Sequence, residues 1–129
     1  RLRLSLALGG GLAVRGGETA PLAAVTGRVE FGRRALLGLE GSLWLVDGVH
    51  GQGSVLGSFA YRLARRLELG AGTGLRGTGD ALGPAFDLIL RTQLRGRLTG
   101  YLRYDGALLL HDGTSDGQHA GSLGIEARF

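Results

Sequence analysis

The chain contains no cysteine, which excludes a disulfide framework and any thiolate metal site. Lysine and asparagine are absent too, and all fifteen basic residues are arginine, a bias expected of a GC-rich genome. No stretch approaches the roughly 18 consecutive apolar residues of a membrane-spanning helix. Proline occurs only twice. Glycine reaches 26 of 129 residues, but without the three-residue period of collagen. With Arg1 in first place and no initiator methionine or signal peptide, the chain is expected to be a mature or cropped product. Its length is that of one domain, spanning 1–129.

What is present is a two-residue alternation. RLRLSLAL places Leu2, Leu4, Leu6 and Leu8 on one side, and Arg1, Arg3, Ser5 and Ala7 on the other. Successive side chains of a β-strand point to opposite faces. Eight such segments can be drawn, at 2–15, 22–33, 36–46, 54–64, 67–77, 85–95, 98–110 and 120–129. Most are close to the ~9–11 residues that a tilted strand needs to cross a bilayer. One phase of every segment is apolar, from Leu2 through Val29, Leu39, Phe59, Leu69, Leu88 and Leu102 to Ile125. The other phase carries the charges: Arg3, Arg28, Glu30, Glu40, Arg62, Glu68, Arg76, Asp87, Arg91, Arg95, Arg103, Asp105, Glu126 and Arg128. The other positions of that phase are mostly Gly, Ala, Ser and Thr.

Short connections recur around Arg33–Arg34, Arg65–Arg66 and Gly96–Arg97. Arg33, Arg65 and Arg97 stand 32 apart, and the same step reaches Arg1 and Phe129. The chain therefore reads as four hairpins with both termini and the short turns at one end. Longer loops are expected at the other end: GGETAP (16–21), DGVHGQGS (47–54), GTGDALG (77–83) and HDGTSDGQH (111–119). Short turns at one end, long loops at the other and an even strand number describe an outer-membrane barrel. The fold class is all-β, an eight-stranded antiparallel up-and-down transmembrane β-barrel. Closure satisfies backbone groups that lipid cannot.

A soluble barrel with apolar residues inside satisfies the same alternation. Two features favour lipid outside. The interior of eight strands is just wide enough for side chains, and a leucine row from every strand overfills it. Gly70, Gly72 and Gly74 in one row make a poor solvent face and a good narrow lumen. The net charge of +4 and pI of 10.6 do not signal nucleic acid, because the arginines interleave with acids on one strand face.

The last strand, SLGIEARF, resembles the terminal assembly signal of outer-membrane barrels: a polar residue, a glycine, a hydrophobic residue and a final aromatic. Ser122, Gly124, Ala127 and Phe129 take those places, with Ala127 a weak hydrophobe for its slot. In architecture the whole chain is similar to the small eight-stranded family of the OmpA membrane domain and OmpX. The resemblance implies insertion by the barrel-assembly machinery into the outer membrane of a Gram-negative bacterium, with termini in the periplasm. It also implies outer-membrane lipid and lipopolysaccharide as surroundings, a monomer, and no nucleic-acid partner or cofactor.

The six acids and eight arginines of the polar phase are read as an ion-pair network that plugs the lumen, since buried charges need partners. Paired carboxylates for acid–base catalysis are the competing reading. GAGTGLRGTG (70–79) lacks the helix and the lysine of a phosphate loop, so its glycines are read as space-filling. His50, His111 and His119 are placed in the long loops, the last two clustering with Asp112, Ser115 and Asp116. A solvated loop is favoured there over a metal site or a His–Ser lipid-modifying site. Trp44 falls on the lumen phase near the second long loop. Phe31, Tyr61 and Phe129 suit an aromatic girdle at the short-turn end, with Phe86 at the opposite rim. The basic turns Arg33–Arg34 and Arg65–Arg66 are expected to face the periplasm and are read as solvated by default, with contact to anionic headgroups or peptidoglycan as the alternative. Three classes of function follow: a structural or surface-interaction protein, which leads; a lipid-modifying enzyme; and a narrow channel or hydrophobic-ligand conduit.

Overall fold

The computed structural model describes residues 2–129; Arg1, assigned to the polar phase of the first strand, lies outside the described residues. The strands are β1 (Leu2–Arg15), β2 (Glu18–Gly32), β3 (Ala35–Val46), β4 (His50–Ala64), β5 (Leu67–Gly77), β6 (Leu82–Arg95), β7 (Leu98–His111) and β8 (Thr114–Arg128). Each pairs antiparallel with its neighbours in sequence, and β1 pairs with β8 to close the barrel. The alternation in the sequence is what makes strands here. It gives each segment one face for the outside and one for the inside, and no helical period competes with it.

A row of paired residues shows how the barrel closes. It runs Leu4–Val29–Leu39–Gly57–Thr73–Phe86–Gly106–His119 and returns to β1 at Val14, ten residues beyond its start. Closure with such a stagger tilts the strands by about 35–45° from the axis. At ~3.3 Å per residue, strands of 11 to 15 residues then span about 27–37 Å along that axis, enough for an apolar band of ~25 Å.

The faces fall as the alternation assigns them. The apolar phase is exposed along all eight strands, with only Leu67 and Ala127 half-buried. Leu43 is 72% exposed and Leu123 66%. A continuous leucine surface of this kind is matched to lipid, not water. The charged phase turns inward, with one correction. Arg95 is exposed, because the register slips between Gln93 and Arg95 beside the β6–β7 turn. A similar slip between Arg62 and Ala64 precedes the β4–β5 turn. Phe86 is corrected as well: Pro84 and Leu82 continue the outward phase beyond it, so it lies below the rim.

The long loops are the main correction. The connections at that end are Gly16–Gly17, Asp47–Val49, Thr78–Ala81 and Asp112–Gly113, two to four residues each. Most of the supposed loop sequence is strand. Gly16 and Gly17 have φ of 59° and 82°, Asp112 and Gly113 of 43° and 80°. Consecutive positive φ values mark the two-residue primed turn whose twist matches a β-hairpin, and Gly-Gly and Asp-Gly are its preferred sequences. Polar composition suggested loops; the turn dipeptides within it carried the better signal. Both ends of the barrel are therefore tightly turned.

Inside, glycine makes room. A Cβ built on Gly70 would lie 2.9 Å from Ile89 Cγ2, and one on Gly124 2.8 Å from the Tyr101 hydroxyl. Tyr101 lies across Gly9 and Gly124, an interior use for a glycine of the terminal signal.

Candidate functional site

The lumen is filled by a single chain of ten charges of alternating sign. It begins at the short-turn end with Glu68 of β5, which meets Arg3 of β1 at 2.9 Å. Arg3 also donates to Glu30 of β2 at 2.8 Å. Glu30 receives Arg91 of β6 at 2.9 Å, and Arg91 reaches Glu126 of β8 at 3.4 Å. Glu126 is held by Arg28 of β2. Arg28 pairs at 2.7 Å with Glu40, its direct cross-strand neighbour on β3. Arg103 of β7 meets Glu40 at 2.6 Å and Asp105 at 2.8 Å. Arg76 of β5 ends the series, 3.6 Å from Asp105.

Seven strands contribute, because the inward phase of a closed barrel converges on one axis. Asp87 and Asp105 are direct cross-strand partners of like charge. Arg103, 3.2 Å from Asp87, separates their repulsion. Arg62 and Arg128 reach Glu68 from the side at 3.6 and 3.5 Å. Arg62 remains partly open to the mouth while the central members are buried. Of the fourteen charges of the polar phase, all but Arg95 are thus brought together in the lumen. Burial of so much charge adds little net stability even when paired, since desolvation offsets attraction. Each strand presents its charge at one height, so a register slip would leave a buried charge without its partner.

Above Arg76 the chemistry changes. The Arg76 guanidinium stacks 3.4 Å from the centre of the Trp44 ring. Trp44 packs with Ala13, Leu22, Ala24 and Ala120 in a small apolar cluster. Gln52 and Gln118 exchange two amide hydrogen bonds of 2.9 Å. This cap was not legible while Gln52 and Gln118 counted as loop residues; both fall on the inward phase once the hairpins are shortened. Cavities of about 650 Å³ and 560 Å³ open at the short-turn mouth and the opposite mouth respectively. The ion chain and the cap occupy the axis between them.

The histidine cluster does not form. His50 opens β4 and His111 closes β7, so neither lies in a long loop. His111 Nδ1 contacts the Asp80 carbonyl at 2.5 Å. His119 lies within β8 on the outer face, its Nδ1 hydrogen-bonded to the Tyr104 hydroxyl. Tyr104 stacks on His119 and packs against Phe86, with ring centres 5.9 Å apart in each pair. Asp116 pairs with Arg15 at 3.3 Å. Of the terminal signal, Ser122 is buried in the lumen, Gly124 is inward, Ala127 is half-buried, and Phe129 is 70% exposed.

No protein-family model matches the chain, and no curated protein matches it significantly. Solved structures do. A de novo designed transmembrane β-barrel aligns over 97% of this chain and 95% of its own, with TM-score 0.67 and 13% identity. Neisserial surface protein A covers 99% of this chain and 97% of itself, with TM-score 0.67 and 9% identity. The attachment invasion locus protein of Yersinia pestis, Ail, covers 99% and 97%, with TM-score 0.62 and 15% identity. At these identities the likeness is one of fold: the chain has the architecture of the small eight-stranded outer-membrane barrels. A designed barrel among the matches underlines that this architecture carries no function by itself.

Proposed function

We propose that the protein is a monomeric integral barrel of the outer membrane of a Gram-negative bacterium, with a structural or anchoring role and no open pore. The single observation that carries this reading is the alternating ion chain. It fills the lumen from Glu68 to Arg76 and is closed above by Trp44 and the Gln52–Gln118 pair. Eight strands leave room only for side chains, and here those side chains bind one another. The apolar exterior supports residence in lipid. That Ail is an outer membrane protein of Yersinia pestis supports the choice of membrane. The names of Neisserial surface protein A and of Ail speak of the cell surface or attachment, and a surface-interaction role is the finer alternative. Turns of two to four residues offer little area to a large partner, which favours anchoring. The terminal signal Ser122, Gly124, Ala127 and Phe129 supports insertion by the barrel-assembly machinery, with both termini in the periplasm.

Planar-bilayer recording tests the sealed lumen. The purified barrel is expected to give no sustained conductance at any holding potential. Reproducible single-channel openings from the unmodified chain would make the ion pairs the lining of a path and put the channel reading in place of this one.

A further inference from the structure

We infer that the short-turn mouth is a binding site for a phosphoryl-bearing anion. The cavity of about 650 Å³ there is lined by Arg3, Arg33, Arg62, Arg97 and Arg128, drawn from three strands and two turns. Negative charge is scarce around them. Glu68 is shared by Arg3, Arg62, Arg91 and Arg128, at 2.9, 3.6, 3.7 and 3.5 Å. Glu30 is already taken by Arg3 and Arg91. Among the described residues, Arg33 and Arg97 lie on the two turns and meet no carboxylate. Arg128 Nε is buried without a hydrogen-bond acceptor.

The opposite end shows that this is not a general property of the surface. Its turns and strand ends carry Glu18, Asp47, Asp80, Asp112 and Asp116, with Arg15 as the one arginine, whereas the short-turn end exposes Arg33, Arg34, Arg65, Arg66, Arg95 and Arg97 with no acid among them. Guanidinium groups present paired N–H donors in the geometry of phosphoryl oxygens. A recess lined by one sign of charge over low-dielectric walls concentrates its potential on a ligand of opposite sign. The volume falls in the range of small-molecule sites and admits more than one phosphoryl group. The ligand is therefore a multiply charged phosphoryl compound, either free in solution or the headgroup of an anionic lipid at the rim. This inference goes beyond the anchoring role and holds whichever compartment the mouth faces.

The test is calorimetric titration of the folded full chain with tripolyphosphate, in maltoside micelles, which contain no phosphate. Saturable binding is expected. The double variant Arg33→Gln with Arg97→Gln, outside the buried ion chain, is expected to weaken it about tenfold or more, the scale of losing charge-assisted hydrogen bonds. Arg34→Gln with Arg95→Gln removes equal charge from the same end outside this cavity and is expected to leave binding unchanged. Doping the micelles with cardiolipin, whose headgroup carries two phosphodiesters, separates the sources. Competition that vanishes in the Arg33/Arg97 variant identifies the lipid headgroup; unaffected tripolyphosphate binding identifies a free ligand. Absence of saturable binding, or equal losses in the two double variants, would overturn the site and reduce the mouth to diffuse charge.

Discussion

The two halves of the lumen are closed by opposite means. Toward the short turns, seven strands commit charged side chains to one alternating chain. Toward the other end the axis is closed by Trp44, a few small apolar residues and one amide pair. The ionic half is exacting. Each charge depends on neighbours from other strands, and losing one partner leaves another buried and uncompensated. The cap is tolerant, because apolar contact is non-directional and an amide pair can be removed as a pair. A barrel too narrow for a conventional core thus obtains unique register from one half and simple filling from the other.

The contrast is broken most severely by stripping Arg28 of both its partners. Glu40→Ala with Glu126→Ala leaves that guanidinium buried without a carboxylate, at a cost of about 3–5 kcal/mol. Urea unfolding in lipid vesicles measures it. A loss below about 1 kcal/mol would show that the network is ornamental to the fold.

Trp44→Ala is expected to cost about 3 kcal/mol, at the lower end for truncating a buried tryptophan, since its cross-strand partner Gln52 lines the 560 Å³ cavity at that mouth and the vacated site can fill with water. The same unfolding assay reads it. A cost clearly above that of the Arg28 double-partner variant would erase the distinction between the halves.

Leu88→Arg tests the exterior against both. Leu88 is the central outward position of β6, and an arginine near mid-bilayer costs about 2–4 kcal/mol. Unchanged stability in bilayers would reject the lipid face.

The smallest effect sharpens the comparison. Gln118→Leu alone leaves Gln52 buried and unpaired, costing about 1–3 kcal/mol, whereas adding Gln52→Leu is expected to restore stability to near the wild-type value. A double variant worse than the single one would mean that the cap, like the ion chain, depends on specific polar partners.

Much of this was legible before any coordinates. The phase of Leu4, Val29 and Leu39 against Arg3, Glu30 and Glu40 identifies both faces, because side-chain direction in a strand depends only on parity. Arg95 escaped that rule, since a bulge resets parity and nothing in the local sequence announces one. The turns opposite the termini were misjudged because Glu18, Gln52 and Gln118 are polar residues beside turn glycines. Composition weighed them as loop, and the Gly-Gly and Asp-Gly pairs were the decisive signal. The histidine cluster failed for the same reason: extending β8 places His119 on the outer face and carries it away from His111.

By itself the sequence determined the strand number, the lipid face, the charged interior and the glycines that leave room within it. All of these follow from a two-residue period, from turn spacing and from side-chain size. Which arginine meets which carboxylate was decided only by closure. Arg91 and Glu30 are 61 residues apart and Arg28 and Glu126 are 98 apart, so their meeting depends on the ten-residue stagger with which β8 returns to β1. That stagger is a property of the whole ring, summed over eight registers. The excess of arginine at one mouth becomes a cavity for the same reason: turns distant in sequence share a rim only after the ring has closed.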